Sequence, residues 1–169
     1  MPDIFRALLA KEPDRDMEFS PDEIHLGKIG APFHVTLIMG VYCRPCADEK
    51  VLKRWLVEYQ ESLWITVRFL DYSSSSDETK MLIDSLTTIY LQSGKNTFLD
   101  SFLYWYEIYD IQKFKEKFNI SVSTIALKLS SKNARWQREQ YINYSPAIFV
   151  GGRLFQYMLE DLEYLVKEY

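Results

Sequence analysis

Cysteine is scarce in this sequence, and the positions of the two cysteines argue against a disulfide that serves mainly to stabilise the fold. The 169 residues contain two cysteines, Cys43 and Cys46. A disulfide between them would close a loop too short to restrict the unfolded chain much, because the entropic gain grows with loop length. A zinc site would need further ligands, yet there is no second cysteine pair and both histidines, His25 and His34, lie upstream. We therefore expect a chemically reactive pair, with no metal and no cofactor.

Positive charge and long apolar runs are also missing. The formal net charge is −4 and the isoelectric point is about 5.3, so we expect no nucleic-acid partner. The absence of a run of about 18 apolar residues argues against a membrane-spanning helix. Residues 1–6 lack the basic and apolar regions of a signal peptide. The chain is interpreted either as a cytoplasmic protein or as a domain of a longer one.

What the sequence does contain is a strand, helix, strand pattern around the two cysteines. The apolar run at residues 34–39 precedes them, as expected for a strand buried on both faces. Apolar residues recur at helical spacing over residues 47–59, and residues 63–70 are rich in β-branched and aromatic side chains. This order predicts a parallel βαβ unit. The dithiol would then lie at the carboxyl end of a strand, where open α/β sheets place their sites.

The rest of the chain predicts a helical block and a second α/β unit. Residues 1–27 are interpreted as an N-terminal lead-in or linker, and residues 28–169 as one domain with a helical insertion at about 77–142. The expected elements are helices at 78–93, 96–118 and 122–142, a β-hairpin of residues 147–150 and 153–157, and a closing helix at 160–167. The predicted terminal unit is therefore ββα.

The position of Cys43 favours a reactive thiolate. At the start of the predicted helix it would face unpaired backbone N–H groups and the positive end of the helix dipole. Arg44 adds a positive charge beside it, and Pro45 suits the first helical turn, where its missing N–H costs little. Cys46 would be more buried and would resolve a mixed disulfide formed at Cys43. Cys43 and Cys46 are therefore the predicted catalytic residues.

Ser145-Pro146 stands directly before the predicted hairpin. With the Cys-x-x-Cys pair in a βαβ unit and a helical block between them, this order resembles the thioredoxin superfamily. The helical insertion resembles its Dsb-type branch of extracytoplasmic thiol oxidoreductases. The resemblance covers residues 27–169 and implies a thioredoxin-like α/β fold with a central mixed sheet. It also implies thiol-disulfide exchange with protein thiols or disulfides.

The resemblance further implies which residues would meet a substrate. Ser145 would contact the substrate's backbone, and Pro146 would be a cis-proline lying across from the dithiol. Tyr42, Arg44 and Pro45 would line the same surface. A trans-proline that merely opens an edge strand is the alternative interpretation of Pro146.

A narrower resemblance rests on four stretches, residues 29–32, 43–50, 144–152 and 160–162. They are similar to thioredoxin-like domains of Bacteroidetes membrane proteins, in which such a domain is joined to a vitamin K epoxide reductase-like membrane unit. This similarity implies a membrane redox partner of that type and a periplasmic domain of a longer, membrane-tethered protein. Residues 1–27 would then be the tail of a linker. A cytoplasmic location stays open.

Two departures from thioredoxin itself bear on the direction of exchange. Leu37 stands where thioredoxin has a buried aspartate, six residues before its first cysteine, and Tyr42 replaces its usual tryptophan. The missing aspartate and the charge of Arg44 slightly favour an oxidant, because stronger stabilisation of the thiolate makes a better oxidant. From the residues alone, oxidation, reduction and isomerisation all stay open.

A non-catalytic interpretation is open as well. The same fold would then serve as a peptide- or partner-binding module that uses its groove and an aromatic helical face. The side chains expected on this aromatic face are Phe98, Phe102, Trp105, Tyr106 and Tyr109. The alternative interpretation of the many large aromatic residues in this half of the chain is a thick helical core layer, since such side chains mostly fill cores. The two interpretations differ in whether function survives removal of Cys43 and Cys46.

Overall fold

A five-stranded mixed sheet forms the centre of the structure, a computed structural model that describes residues 2–43, 46, 49–71 and 76–169. Residues 49 and 50 are described by their backbone alone. The strands are β1 (Ile24–Gly27), β2 (Phe33–Met39), β3 (Leu63–Phe69), β4 (Ala147–Val150) and β5 (Arg153–Phe155). The helices are α1 (Pro2–Lys11), α2 (Glu49–Glu58), α3 (Asp77–Ile108), α4 (Ile111–Lys117), α5 (Thr124–Glu139) and α6 (Glu163–Val166).

Strand β2 occupies the middle of the sheet, whose order is β1-β3-β2-β4-β5. It runs parallel to β3, with Phe33 opposite Leu63 and Met39 opposite Phe69. The predicted parallel βαβ unit is therefore confirmed, with α2 between its strands. On the other side, β4 runs antiparallel to β2 and β5 antiparallel to β4, as the predicted hairpin requires.

Strand β1 lies inside residues 1–27, the segment interpreted above as a lead-in or linker. It pairs antiparallel with β3, with Ile24 opposite Val67, and both Ile24 and Leu26 are buried. Helix α1 also contributes Phe5 to the core. This segment is thus part of the folded unit. The sequence does not reveal β1 because so short a run between polar residues carries too little alternation to indicate a strand.

One side of the sheet, here called the apolar face, packs against helices. It presents alternate residues of the two central strands, because successive side chains of a strand point to opposite sides. Those residues are Phe33, Val35, Leu37 and Met39 of β2 and Leu63, Ile65, Val67 and Phe69 of β3, all in one buried cluster. Trp55 of α2, Phe102 of α3 and Leu165 of α6 join the cluster. Burying each such side chain contributes about 1.5–3 kcal/mol.

The opposite side, here called the polar face, contains a buried ion pair. Arg68 Nε lies 2.5 Å from Glu23 Oε1, and both side chains are 1% exposed. Arg68 Nη2 donates to Glu23 Oε2 at 3.1 Å and to the Met17 carbonyl oxygen at 2.6 Å. The guanidinium carbon lies 4.8 Å from the centroid of the Trp136 ring. The segment before β1 and helix α5 therefore cover this face.

Both histidines also lie on the polar face, on either side of Thr66. The Thr66 hydroxyl is 3.0 Å from His25 Nδ1 and 2.8 Å from His34 Nε2. The Trp64 ring stacks on His34 at a centroid distance of 3.6 Å. Burial lowers the pKa of both histidines, that of His34 to about 4, because the charged form loses hydration. Both rings are therefore mainly neutral at pH 7.

The helical insertion differs in detail from the prediction. The hydroxyl of Ser76 caps α3 by accepting the Thr79 N–H at 3.3 Å. Gly94, with a φ of 86°, departs from helical geometry and kinks α3, so the predicted break between residues 93 and 96 is confirmed. The single helix expected over residues 96–118 is wrong, because Tyr109 adopts a left-handed conformation and Asp110 caps a new helix, α4.

Helix α5 covers the part of the sheet edge that β1 leaves open. Strand β1 pairs with β3 from Trp64 to Val67, so Phe69 and Asp71 extend beyond it. The buried Gln137 side chain meets them: its Nε2 donates to the Phe69 carbonyl oxygen at 2.9 Å, and its Oε1 accepts the Asp71 N–H at 2.8 Å. A side-chain amide thus takes the place of a neighbouring strand's backbone.

The chain ends in two short helical pieces instead of the single helix expected at residues 160–167. A 3₁₀ turn, Leu159–Leu162, leads directly into α6. The apolar positions predicted to face the core do so, since Leu162 and Leu165 are both buried. Strand β5 stops at Phe155, short of the predicted residue 157.

Candidate active site

The two cysteines form a disulfide at the carboxyl end of β2. Their Cα atoms are 5.3 Å apart. Cys43 is half-buried, whereas Cys46 is 2% exposed and belongs to the cluster on the apolar face. A tight turn leads into the pair, because the Cys43 N–H donates to the Gly40 carbonyl oxygen at 3.1 Å. The arrangement leaves the first sulfur-bearing residue partly accessible and encloses the second.

The segment before β4 lies at the same end of the sheet as the dithiol. In the antiparallel register Ala147 is opposite Ile38, near the end of β2. Pro146 therefore lies beside the point where the chain leaves β2 for the cysteines. The Ser145–Pro146 peptide bond is cis, and both residues are half-buried.

Tyr42 is the exposed neighbour of the first cysteine. It is 50% exposed, and its hydroxyl lies 3.4 Å from Thr79 Oγ1 at the start of α3. Its ring meets Trp105 edge-on, with the centroids 5.8 Å apart. The substrate contact expected of Tyr42 stays a prediction, as it does for Ser145 and Pro146. The other two expected contact residues, 44 and 45, lie outside the described residues.

The aromatic helical face expected to hold a partner is in the core instead. Phe98, Phe102, Trp105 and Tyr106 are between 0% and 9% exposed, and Tyr109 is half-buried. These side chains pack around Phe69 and the turn before the dithiol. The four buried rings are inaccessible to a peptide in the folded protein, so this part of the non-catalytic interpretation is wrong.

Two of these aromatic residues were not expected near the site. The Trp105 Nε1–H donates to the Val41 carbonyl oxygen at 2.6 Å, and the Tyr106 hydroxyl donates to the Gly40 carbonyl oxygen. Both bonds join α3 to the turn that carries Cys43. No local signal predicts them, because the partners lie more than sixty residues apart in the sequence.

The histidines do not take part in this site. His34 is at the amino end of β2 and the cysteines follow its carboxyl end, so the length of the strand separates them. Among the residues that the structure describes, no group of three or more His, Cys, Asp or Glu side chains is arranged to hold a metal ion. Among the described residues, the two sulfur atoms are therefore the candidate reactive groups at the end of β2.

Solved structures match this architecture over almost its whole length, although no family model and no curated protein matches the sequence. The catalytic domain of Proteus mirabilis ScsC superposes with a TM-score of 0.74 at 15% identity, covering 90% of this chain and 91% of that chain. A periplasmic thioredoxin-like protein from Salmonella enterica serovar Typhimurium gives 0.72 at 14% identity, covering 98% and 95%. The thiol-disulfide exchange protein alpha-DsbA2 from Wolbachia pipientis gives 0.65 at 14% identity, covering 99% and 96%.

The chain has a thioredoxin-like fold. The expected fold class is confirmed, including the helical insertion between β3 and β4, and the matching structures are of the Dsb-like kind. In this thioredoxin-like domain the Cys-x-x-Cys pair follows β2 and the segment of Pro146 enters β4. Within the described parts of the chain, no helix has the length and apolar character needed to cross a membrane.

Proposed function

We propose that the protein is a thiol-disulfide oxidoreductase that exchanges disulfides with protein substrates through Cys43 and Cys46. The observation that carries this proposal is the unequal burial of a bonded cysteine pair at the end of the central strand. Cys43 is half-buried and Cys46 is 2% exposed. An attacking partner therefore reaches the first residue more easily than the second, as sequential exchange through a mixed disulfide requires.

In the oxidising direction the exchange begins with a substrate thiolate. It attacks the sulfur of Cys43, the Cys43–Cys46 bond breaks, and Cys46 leaves as a thiolate that takes up a proton. A second substrate thiolate then attacks the substrate sulfur of the mixed disulfide and releases Cys43. The substrate loses two electrons and two protons, and the cysteine pair gains them. In the reducing direction the same steps run backwards, and Cys46 resolves the mixed disulfide.

The surface around Cys43 supports binding of an extended substrate segment. Tyr42, Ser145 and Pro146 are all at least partly exposed at this end of the sheet. We assign them to substrate contact, together with Arg44 and Pro45 as the sequence resemblance implies. An extended segment passing Ser145 would lie across the entrance to Cys43.

We assign to the domain the oxidation of substrate thiols, the direction in which its own disulfide is reduced. Leu37, at the position of the thioredoxin aspartate, is 1% exposed and sits between Val67 and Ile148 in the sheet. An apolar residue there places no carboxylate charge against the thiolate, which favours the reduced pair and hence a stronger oxidant.

The sequence resemblance supports an extracytoplasmic location and a membrane redox partner of the vitamin K epoxide reductase type. The matching protein from Salmonella enterica is described as periplasmic. In this arrangement the partner would take the electron pair from Cys43 and Cys46 and restore their disulfide. Reoxidation of the reduced domain by membranes of the source cell, with and without the partner's gene, tests this assignment.

Paired cysteine variants test the proposed exchange. Cys43→Ala should abolish both insulin reduction and the oxidative refolding of a reduced protein, because no mixed disulfide forms. Cys46→Ala should also lose turnover but accumulate a mixed disulfide with substrate, visible as a larger species on non-reducing gels. Ser145→Ala, which leaves both sulfur atoms in place, should retain part of the activity. The proposed oxidoreductase activity would be refuted if the wild-type protein showed no turnover and Cys46→Ala formed no adduct. The binding-module interpretation would then remain.

A further inference from the structure

Two side chains of α3 hold the backbone immediately before the dithiol. Trp105 binds the Val41 carbonyl oxygen through its indole N–H, and Tyr106 binds the Gly40 carbonyl oxygen through its hydroxyl. Trp105 is 0% exposed and Tyr106 is 9% exposed. These bonds form inside the protein, where a hydrogen bond is electrostatically stronger than in water.

One of these carbonyl groups, that of Gly40, is bonded to the backbone of Cys43. The Gly40 oxygen also accepts the Cys43 N–H at 3.1 Å, so its partial negative charge lies close to the first cysteine. A negative charge disfavours a nearby thiolate, and a donor bound to that oxygen offsets part of the charge. Trp105 and Tyr106 are therefore placed to favour the thiolate of Cys43.

We propose that Trp105 and Tyr106 are positioning residues that make the dithiol a stronger oxidant, because their hydrogen bonds offset part of the negative charge on the Gly40 and Val41 carbonyl oxygens. They act through the backbone of the turn and not on the sulfur atoms. The inference rests on the proposed function, because it concerns the same cysteine pair. It gives the helical insertion a part in setting the redox equilibrium in addition to packing on the sheet.

Two conservative variants test this proposal. Tyr106→Phe removes only the hydroxyl, and Trp105→Phe keeps an aromatic ring without the N–H. Each is equilibrated with glutathione, of which two molecules reduce the protein disulfide and leave as one glutathione disulfide. We expect the equilibrium constant for reduction to fall about three- to tenfold, a shift of up to about 30 mV toward a more reducing potential. The pH at which Cys43 ionises in the reduced protein, followed by thiolate absorbance, should rise.

Tyr104→Phe is the matched control, since it makes the same substitution in the same helix. Its ring packs on Phe114 and Phe118, with centroid distances of 6.5 and 5.7 Å. It should leave both measured quantities at their wild-type values. If Trp105→Phe does not fold, Tyr106→Phe decides alone, because it removes a single oxygen atom.

The outcomes separate this proposal from the proposed function. An unchanged equilibrium constant and ionisation in Tyr106→Phe would overturn it, as would an equal shift in Tyr104→Phe. Equilibration with glutathione needs no protein substrate. A wild-type protein that fails to exchange with proteins would therefore refute the enzyme, while the shift in Tyr106→Phe would still establish the positioning role.

Discussion

The two faces of the sheet bury their side chains in different ways. The apolar face is lined by aliphatic and aromatic residues of β2 and β3 and is packed against helices. The polar face buries the Arg68–Glu23 ion pair and the His25–Thr66–His34 contacts beneath an extended segment and α5. Cys46 belongs to the apolar face. The exchange site is thus built on the apolar face, and the buried titratable groups are on the other.

The stability of the two faces therefore rests on different kinds of interaction. Apolar packing tolerates changes that keep volume and shape. A buried polar network is stable only while each member keeps its partners, because an unpaired polar group is costly at low dielectric. Substitutions on the polar face should therefore change stability strongly and leave the redox equilibrium of the dithiol alone.

The largest expected effect is on the ion pair. Glu23→Gln keeps the shape of the side chain but leaves the Arg68 guanidinium buried without its counter-charge. We expect the free energy of unfolding to fall by about 3–5 kcal/mol. Urea denaturation followed by circular dichroism measures it, and the glutathione equilibrium of the folded variant should stay unchanged.

The same substitution in an exposed ion pair provides the control. Glu61 Oε2 lies 2.6 Å from Lys28 Nζ, and the two side chains are 78% and 55% exposed. Glu61→Gln should cost no more than about 1 kcal/mol, because water screens the pair. Equal losses for Glu23→Gln and Glu61→Gln would break the comparison between the faces.

A smaller effect, of opposite sign, is expected at Thr36. This residue is 1% exposed, and its hydroxyl makes no hydrogen bond with the part of the chain that the structure describes. Thr36→Val removes that buried polar group, and we expect a stabilisation of about 1 kcal/mol. Thermal and urea unfolding both report it.

Thr66 sharpens this test because it lies directly opposite Thr36 in the sheet and its hydroxyl contacts both histidines. Thr66→Val should destabilise the protein by about 1–3 kcal/mol, since it leaves buried polar groups without a partner. Stabilisation by both substitutions would show that the polar face behaves like the apolar one.

The smallest effect concerns pH. The pKa of His34 is about 4 in the folded protein, below its ordinary value of 6.5, so the unfolded chain binds the proton first. The contribution of neutral His34 is complete above about pH 6.5 and is lost as the pH falls toward 4. The slope contributed by His34 should stay below about 1.4 kcal/mol per pH unit, because a single ring binds at most one proton.

Urea midpoints measured between about pH 7 and pH 5 test the slope. His34→Phe, which retains a ring against Trp64, should flatten it. An unchanged slope in His34→Phe would show that other groups cause the pH dependence. His34 would then not be among the polar-face residues whose protonation changes stability.

The elements around the dithiol could be predicted because their patterns are local. The apolar run of β2, the helical spacing of α2 and the turn of Gly151 and Gly152 each indicate their structure over a few residues. Strand β1 could not, since its four residues become a strand only by pairing with β3. The end of α3 at Tyr109 could not be predicted either. Its left-handed backbone conformation ends the helix, although the helical pattern of the sequence continues past it.

The site was predictable only in part for the same reason. Cys43 and Cys46 form a Cys-x-x-Cys motif, and Ser145-Pro146 precedes the predicted hairpin. Together these two motifs predict a thiol-disulfide exchange site from the sequence. The hydrogen bonds of Trp105 and Tyr106 depend on where α3 crosses the turn, which periodicity does not encode. The charge of Arg68 gives no sign of burial, because its partner Glu23 is 45 residues away.

The contact of Gln137 with Phe69 and Asp71 has a consequence for how the protein behaves at high concentration. A strand edge with free N–H and C=O groups invites the strands of other molecules to pair with it. Here one amide side chain occupies that edge from within the same chain. Helix α5 thereby closes this short stretch of β3 to pairing with a strand of another molecule.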